Sequence, residues 1–75
     1  MNIFKIDLEK LKIEINEYIY NKPNNPILLM NYDTFKILYK YNSYFFKEKK
    51  YFTWTLFGCY ICIANWLSTG EVEVR

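Results

Sequence analysis

The chain has 75 residues, a formal net charge of +2 and no histidine, and 52% of its residues are hydrophobic. This length allows one domain (residues 1–75) with one small core, and the apolar fraction argues against intrinsic disorder. The weak net charge is not that of a dedicated nucleic-acid-binding protein, which has a strongly basic face. Aromatic residues make up 21% of the chain, more than so small a core can bury, and we predict that some lie at an interface.

The first predicted element is a helix over residues 6–20. Apolar residues recur there at spacings of three and four, which places them on one face of a helix. They are Phe4, Leu8, Leu11, Ile15, Tyr18 and Ile19. Asp7 is the predicted N-cap, and the helix ends at Asn21 and Pro23 because a proline disfavours helical geometry in the residue before it. Residues 21–26 are predicted as a loop.

The middle of the chain predicts a short strand and a second helix. The wholly apolar run at 27–30 is typical of a buried strand. Asn31 or Asp33 then caps a helix over residues 32–41. The apolar face of this helix consists of Tyr32, Phe35, Leu38 and Tyr39. Three consecutive aromatic residues follow at 44–46, beside a charged turn at 47–50, so they cannot all face inward.

The last third of the chain predicts β structure. Phe52, Trp54 and Leu56 alternate with Tyr51, Thr53 and Thr55. Gly58 marks a tight turn or a bulge, and residues 59–64 form a second strand that is apolar on both faces and therefore central. Residues 65–69 connect it to a last, half-exposed strand at a sheet edge, which contains Val72 and Val74.

These elements together predict an α+β fold in one domain. Its order is an N-terminal helix, a short strand, a second helix and a C-terminal antiparallel sheet of about three strands, which makes about four strands in all. The core is small for such a fold, and subunit association would stabilise it, so homo-oligomerisation is expected.

The sequence offers no arrangement that predicts catalysis. Cys59 and Cys62 form a C-x-x-C pair, but residues three apart on a strand point to opposite faces, which makes a disulfide between them awkward. A zinc site would need two further ligands, so we expect buried structural thiols, no metal and no cofactor. Glu71 and Glu73 share one face of an edge strand, where acids discourage aggregation. The chain has no glycine-rich phosphate loop, and we do not expect an enzyme.

Targeting signals are weak. Charged residues interrupt any apolar stretch at the N-terminus that could act as a signal peptide. They are Lys5, Asp7, Glu9 and Lys10. Residues 51–67 carry no charge, but this stretch is short for a membrane helix and is diluted by polar residues and glycine. We therefore expect no membrane association and a cytoplasmic location, where free thiols remain reduced.

Aromatic residues interleaved with lysines predict a binding surface. A protein interface is favoured, because aromatic anchors within a polar rim form binding hot spots. Stacking on nucleic-acid bases or on a nucleotide is the less favoured alternative, and a third is that half of the rings only fill the core. The predicted contact residues are Tyr44, Phe45, Phe46, Lys47, Lys49, Lys50, Tyr51, Trp54 and Trp66.

Three short motifs lie within residues 27–75. They are Met30-Asn31 followed by Thr34 and Leu38 in a helix, then Thr55-Leu56-Phe57-Gly58, then a β run that ends near Gly70-Glu71-Val72. This pattern covers about two thirds of the chain and resembles the C-terminal part of tailed-phage major capsid proteins of the HK97 type. In that family an apolar strand leads into an MN-x-x-T helix, and a T-L-x-G-x-P-V segment opens a later strand.

The chain departs from this pattern in two ways. Cys59-Tyr60-Ile61 lacks the expected proline, and the chain is far shorter than a capsid subunit. The resemblance implies a phage or prophage origin and a similar strand–helix–hairpin unit, without a capsid function and without catalytic residues.

Small phage proteins without an enzyme signature are often inhibitors of host defence. We therefore expect an anti-CRISPR-like inhibitor that docks on a host protein or nucleoprotein complex in the bacterial cytoplasm. The first alternative is a phage structural or assembly protein that self-associates through Val72 and Val74. The second is a sponge that binds a signalling nucleotide between aromatic rings.

Overall fold

The structure is a computed structural model that describes residues 8–22, 24–50 and 53–75. Within these ranges two helices and five strands form one α+β unit, which confirms the predicted fold class. In chain order the elements are α1 (Leu8–Asn21), β1 (Leu28–Met30), α2 (Tyr32–Asn42), a 3-10 turn (Ser43–Phe45), β2 (Phe46–Lys49), β3 (Thr53–Leu56), β4 (Cys59–Ile63) and β5 (Glu73–Val74).

Helix α1 packs on the core through the face that its sequence pattern predicts. Leu11 and Ile15 are buried, and Leu8 packs against the same cluster. The helix ends at Asn21, whose side-chain amide donates a hydrogen bond to the Glu17 carbonyl at 2.9 Å. The predicted start of the helix, with Phe4 and Asp7, lies outside the described residues, as does Pro23.

Helix α2 begins at a side-chain cap. The Asn31 side chain accepts a hydrogen bond from the Thr34 backbone N–H at 2.7 Å, so Asn31 rather than Asp33 is the N-cap. Leu38 is buried and Phe35 packs against the core, as predicted. Thr34, which the apolar pattern does not include, is also buried, because its hydroxyl is hydrogen-bonded inside the fold.

The strands form one mixed sheet in the order β2-β3-β4-β1-β5. Neighbouring strands are antiparallel except β1 and β4, which are parallel. The sheet has one strand more than the predicted total of about four, and it differs from the predicted antiparallel arrangement in two respects. The first is that β1 lies inside the sheet, and the second is that residues 46–49 form a strand where a charged turn was predicted. Pairing with β3 stabilises this strand, from Phe46 opposite Leu56 to Lys49 opposite Thr53.

Both helices pack on the same face of the sheet. Alternation along the strands turns one set of side chains towards them, and this set forms the core with Leu11, Ile15 and Leu38. Its buried members are Leu28, Met30, Phe46, Leu56 and Cys59. The alternate side chains lie on the opposite face, which we call the open face because lysines, Tyr60 and Cys62 are exposed there.

The remaining predictions for the β region concern a turn, a central strand and an edge. Phe57 and Gly58 connect β3 to β4 in a two-residue turn with φ angles of 52° and 80°, which confirms the tight turn at Gly58. Strand β4 is third of the five strands and β5 is at an edge, as predicted. This edge strand contains Val74 but not Val72, which precedes the strand and packs against the core. Among the described residues, no helix combines the length and the apolar character that crossing a bilayer requires.

Candidate functional site

Strand β2 presents two of the predicted lysines on the open face. Its residues alternate, so Lys47 and Lys49 point to the open face while Phe46 and Glu48 point to the helix side. The strand register places Lys47 beside Thr55, and Thr55 beside Tyr60 on the next strand. Directly opposed side chains in such pairs have Cβ atoms about 5 Å apart, so these residues form one row across the sheet.

Two shallow clefts lie along this row and share Lys49. The first has a volume of about 550 Å³, and the second has a volume of about 590 Å³. The first is lined by Tyr44, Phe45, Lys47, Lys49, Thr55, Phe57 and Gly58. The second is lined by Lys49, Lys50, Thr53 and Tyr60. We call the residues that line these two clefts the lysine–aromatic face.

The lysine–aromatic face is locally positive although the net charge of the chain is only +2. Lys47, Lys49 and Lys50 are all exposed, and none of the described residues that line the two clefts is acidic. The neighbouring acid Glu48 points to the helix side of the sheet. Glu73 is on the open face but lies in β5, where the Arg75 Nε is 2.6 Å from its Oε1.

The rings of this face form a connected row. The Tyr44 and Phe45 rings meet edge to face, with centroids 5.4 Å apart and an interplanar angle of 89°. Phe45 also contacts Phe57, at 5.6 Å between centroids, and the Lys12 ammonium of α1 is 5.6 Å from the Phe57 ring centre. Tyr44 is 88% exposed and Phe45 is 44% exposed, so a partner can reach both rings.

Phe57 holds its place in this row at a conformational cost. Its φ of 52° is in the left-handed region, which costs a non-glycine residue about 1–2 kcal/mol. Among the described residues it is the one non-glycine with positive φ. A two-residue hairpin turn of this kind requires positive φ at both central positions, so the turn itself accounts for the conformation of Phe57.

The structure brings together five of the predicted contact residues and separates three others. Those brought together are Tyr44, Phe45, Lys47, Lys49 and Lys50. Phe46, predicted at the surface, is instead a core residue with 6% exposure, because alternation along β2 turns it inward. Trp54 is half-buried on the helix side, with its ring centroid 5.0 Å from that of Tyr39. Trp66 is 71% exposed but lines neither cleft, and Tyr51 lies outside the described residues.

Four side chains of the face were not predicted as contact residues. They are Thr53, Thr55, Phe57 and Tyr60. A signal for two of them was present, because a two-residue turn at Phe57-Gly58 requires Thr55 to pair with Tyr60. These side chains lie beside the lysines because β2 pairs with β3. The sequence does not predict this pairing, since the charged residues 47–50 show no apolar alternation.

The cysteine pair has the geometry that its spacing predicts. Cys59 is buried on the helix side, Cys62 is exposed on the open face, and both are free thiols. The expectation of two buried thiols was therefore wrong for Cys62, because alternation along β4 turns it to the open face. Burial raises the pKa of the Cys59 thiol, which disfavours its reactive thiolate form. Among the described residues, no group of three or more His, Cys, Asp or Glu side chains is placed to hold a metal ion.

The chemistry of the lysine–aromatic face is that of a binding surface for anions. Ammonium groups and hydroxyls can hold carboxylate or phosphate oxygens, while the exposed rings can pack on apolar groups of the same partner. Binding of this kind requires exposed, charged side chains, and it does not require a catalytic acid and base. No family model, no curated protein and no solved structure matches the chain, so the similarity to capsid proteins stays an expectation drawn from sequence motifs.

Proposed function

We propose that the protein is a non-catalytic binding protein that docks through its lysine–aromatic face on an acidic surface of a protein or nucleoprotein complex. The observation that supports this proposal is the exposure of three lysines and two aromatic rings along one face, with no acid among the described residues lining its clefts. Aromatic anchors surrounded by a charged rim are the side chains that dominate binding energies at protein interfaces.

The ring geometry favours a protein partner over a single-stranded nucleic acid. Nucleic-acid platforms present ring faces on which successive bases stack. Here Phe45 contacts both Tyr44 and Phe57, and the rings are inclined at 89° and 50° rather than stacked in parallel. Such a row offers ring edges and a cleft, which suit the insertion of side chains from another protein.

As the biological setting we propose inhibition of a host defence complex by a phage- or prophage-encoded protein. The support for this setting is the resemblance in residues 27–75 together with the absence of an enzyme signature in the sequence. Host defence complexes are proteins or nucleoproteins. An inhibitor can therefore act without catalysis, by covering a surface of the complex.

The test is affinity capture from lysates of candidate host cells, followed by titration of the purified partner. The double variant Lys47→Glu with Lys49→Glu reverses the charge of the face and is expected to weaken binding at least about tenfold, because like charges then meet at the interface. Lys36→Glu with Lys40→Glu is the matched control, since it changes the net charge equally at exposed positions of α2. The control is expected to bind like the wild type.

The same experiment separates the competing functions. Equal binding by the two double variants would show that the lysine–aromatic face is not the contact surface. A nucleic-acid partner would be favoured by two results together. Nuclease treatment would abolish the capture, and the purified protein would bind single-stranded nucleic acid in a salt-dependent manner. Heat from a nucleotide panel in calorimetry would favour the nucleotide sponge, and recovery of the protein in purified phage particles would favour an assembly role.

A further inference from the structure

At the edge of the sheet, the backbone of Val74 in β5 has no hydrogen-bonding partner among the residues that the structure describes. Ile27 and Arg75 exchange both backbone hydrogen bonds, at 2.7 and 3.0 Å. In an antiparallel pair, hydrogen-bonded and non-hydrogen-bonded residues alternate, and Val74 lies opposite Leu28 in the next position. The N–H and C=O of Val74 therefore point away from β1, into the space where a further strand would lie.

The charges on either side of Val74 are self-complementary. Glu73 and Arg75 lie on the same face of the strand, and their side chains form an exposed ion pair with an Nε–Oε1 distance of 2.6 Å. If a second copy pairs with β5 about a two-fold axis through Val74, then Glu73 lies opposite Arg75 of the second copy, and Arg75 lies opposite Glu73 of the second copy. Opposite charges in directly opposed positions stabilise strand pairing.

Other two-fold registers do not combine outward-facing backbone groups with opposite charges in opposed positions. Centring the pair on Glu73 places two glutamates opposite each other and uses backbone groups that already face β1. Centring it on Val72 places Glu71 opposite Glu73 of the second copy twice. The Val74 register alone combines outward-facing backbone groups with two pairs of opposite charge, and it also brings the two Val74 side chains together beside α1.

We infer that the protein forms a two-fold dimer through β5, with Val74 paired to Val74 of a second copy, so that two five-stranded sheets become one. This interface uses no residue of the lysine–aromatic face and is independent of the proposed function. It places both lysine–aromatic faces on the same side of the joined sheet. Two backbone hydrogen bonds and two charge pairs make a small interface, so the dimer dissociates on dilution.

Sedimentation velocity of the full chain, from micromolar to millimolar protein, tests the association. The wild type is expected to shift from the monomer mass of 9.2 kDa towards twice that value as the concentration rises. Glu73→Arg and Arg75→Glu each place like charges opposite one another twice and are expected to raise the dimer dissociation constant about tenfold or more. An equimolar mixture of these two variants restores both opposite-charge pairs and is expected to dimerise.

A second variant removes the outward donor without changing a charge. Val74→Pro lacks the N–H that faces the second copy, while Glu73 and Arg75 keep their hydrogen bonds to β1. It is expected to stay monomeric and to remain folded by circular dichroism. A wild type that stays at 9.2 kDa at every concentration overturns the inference. It is equally overturned if Val74→Pro dimerises like the wild type, or if the mixed variants stay monomeric while the wild type dimerises.

Discussion

Replacing Asn31 by alanine is expected to destabilise the fold by disconnecting the start of α2 from the 64–70 loop. The Asn31 side-chain oxygen accepts hydrogen bonds from the Thr34 N–H and the Thr34 hydroxyl, both at 2.7 Å. Its amide group donates to the Leu67 carbonyl at 3.1 Å and to the Thr69 hydroxyl at 2.9 Å. The Thr34 hydroxyl in turn accepts the Gly70 N–H at 2.8 Å. The Asn31 side chain therefore connects the start of α2 to two positions of a loop that is distant in sequence.

The magnitude follows from these contacts. Loss of an N-cap costs about 1 kcal/mol, and loss of the partly buried bond to Leu67 costs about the same. The bond to Thr69 is exposed and contributes little. We therefore expect the free energy of unfolding to fall by about 2 kcal/mol, which lowers the melting temperature by roughly 8–16 °C in a domain of this size. Such a change is a large fraction of the total stability of a small domain.

Urea unfolding followed by far-ultraviolet circular dichroism measures this change. Asn31→Asp is the matched control, because it keeps the acceptor for the Thr34 N–H and loses both donated bonds, with a partly compensating charge at the helix N-terminus. The expected order of stability is wild type, Asn31→Asp, Asn31→Ala. The reasoning is refuted if Asn31→Ala unfolds within about 0.5 kcal/mol of the wild type, or if Asn31→Asp is the least stable.

Three further predictions concern the cysteines and a glycine. Cys62 is expected to react rapidly with a thiol reagent while Cys59 reacts only on unfolding, and equal rates would contradict the assigned burial. Because burial raises the pKa of Cys59 above its ordinary value of 9.0, the unfolded thiol ionises first, and stability is lost as the pH rises above that value. Cys59→Val is expected to show a flatter dependence of unfolding free energy on pH in this range, and an unchanged slope would argue against the assignment. Gly70→Ala is expected to cost about 1 kcal/mol in urea unfolding, because φ is 93° although an added Cβ meets no atom within 4 Å, and an unchanged midpoint would contradict this.

The local patterns of the chain were sufficient for the helices and the β3–β4 turn. The apolar spacing around Leu11 and Ile15 predicted the buried face of α1, and the two candidate caps, Asn31 and Asp33, predicted a helix start near residue 32. Gly58 predicted a tight turn or a bulge, and the structure has the turn. These features depend on residues within about one turn of one another, so their signals are complete in a short window of sequence.

Strand β2 and half of the candidate site were not predictable in this way. The charged residues 47–50 show no apolar alternation, so the sequence predicts a turn there. The segment is a strand because Phe46 is buried against the core and its backbone pairs with β3. Propensity for β structure depends on packing against neighbours, which a single segment does not reveal. The wrong prediction of Phe46 as a surface residue has the same origin. Its side chain points into the core because residues 46–49 form a strand, which the sequence did not predict.

The sequence by itself determined the α+β class, the two helical faces, the hairpin at Gly58 and the opposite orientations of Cys59 and Cys62. Each of these follows from side-chain periodicity or backbone preference within one element. Only the tertiary structure decided that β1 lies parallel to β4 inside the sheet, that both helices cover one face, and that Lys47, Thr55 and Tyr60 form a row on the other. The physical reason is that contacts between distant segments determine which strands are neighbours, and therefore which side chains lie together on one face.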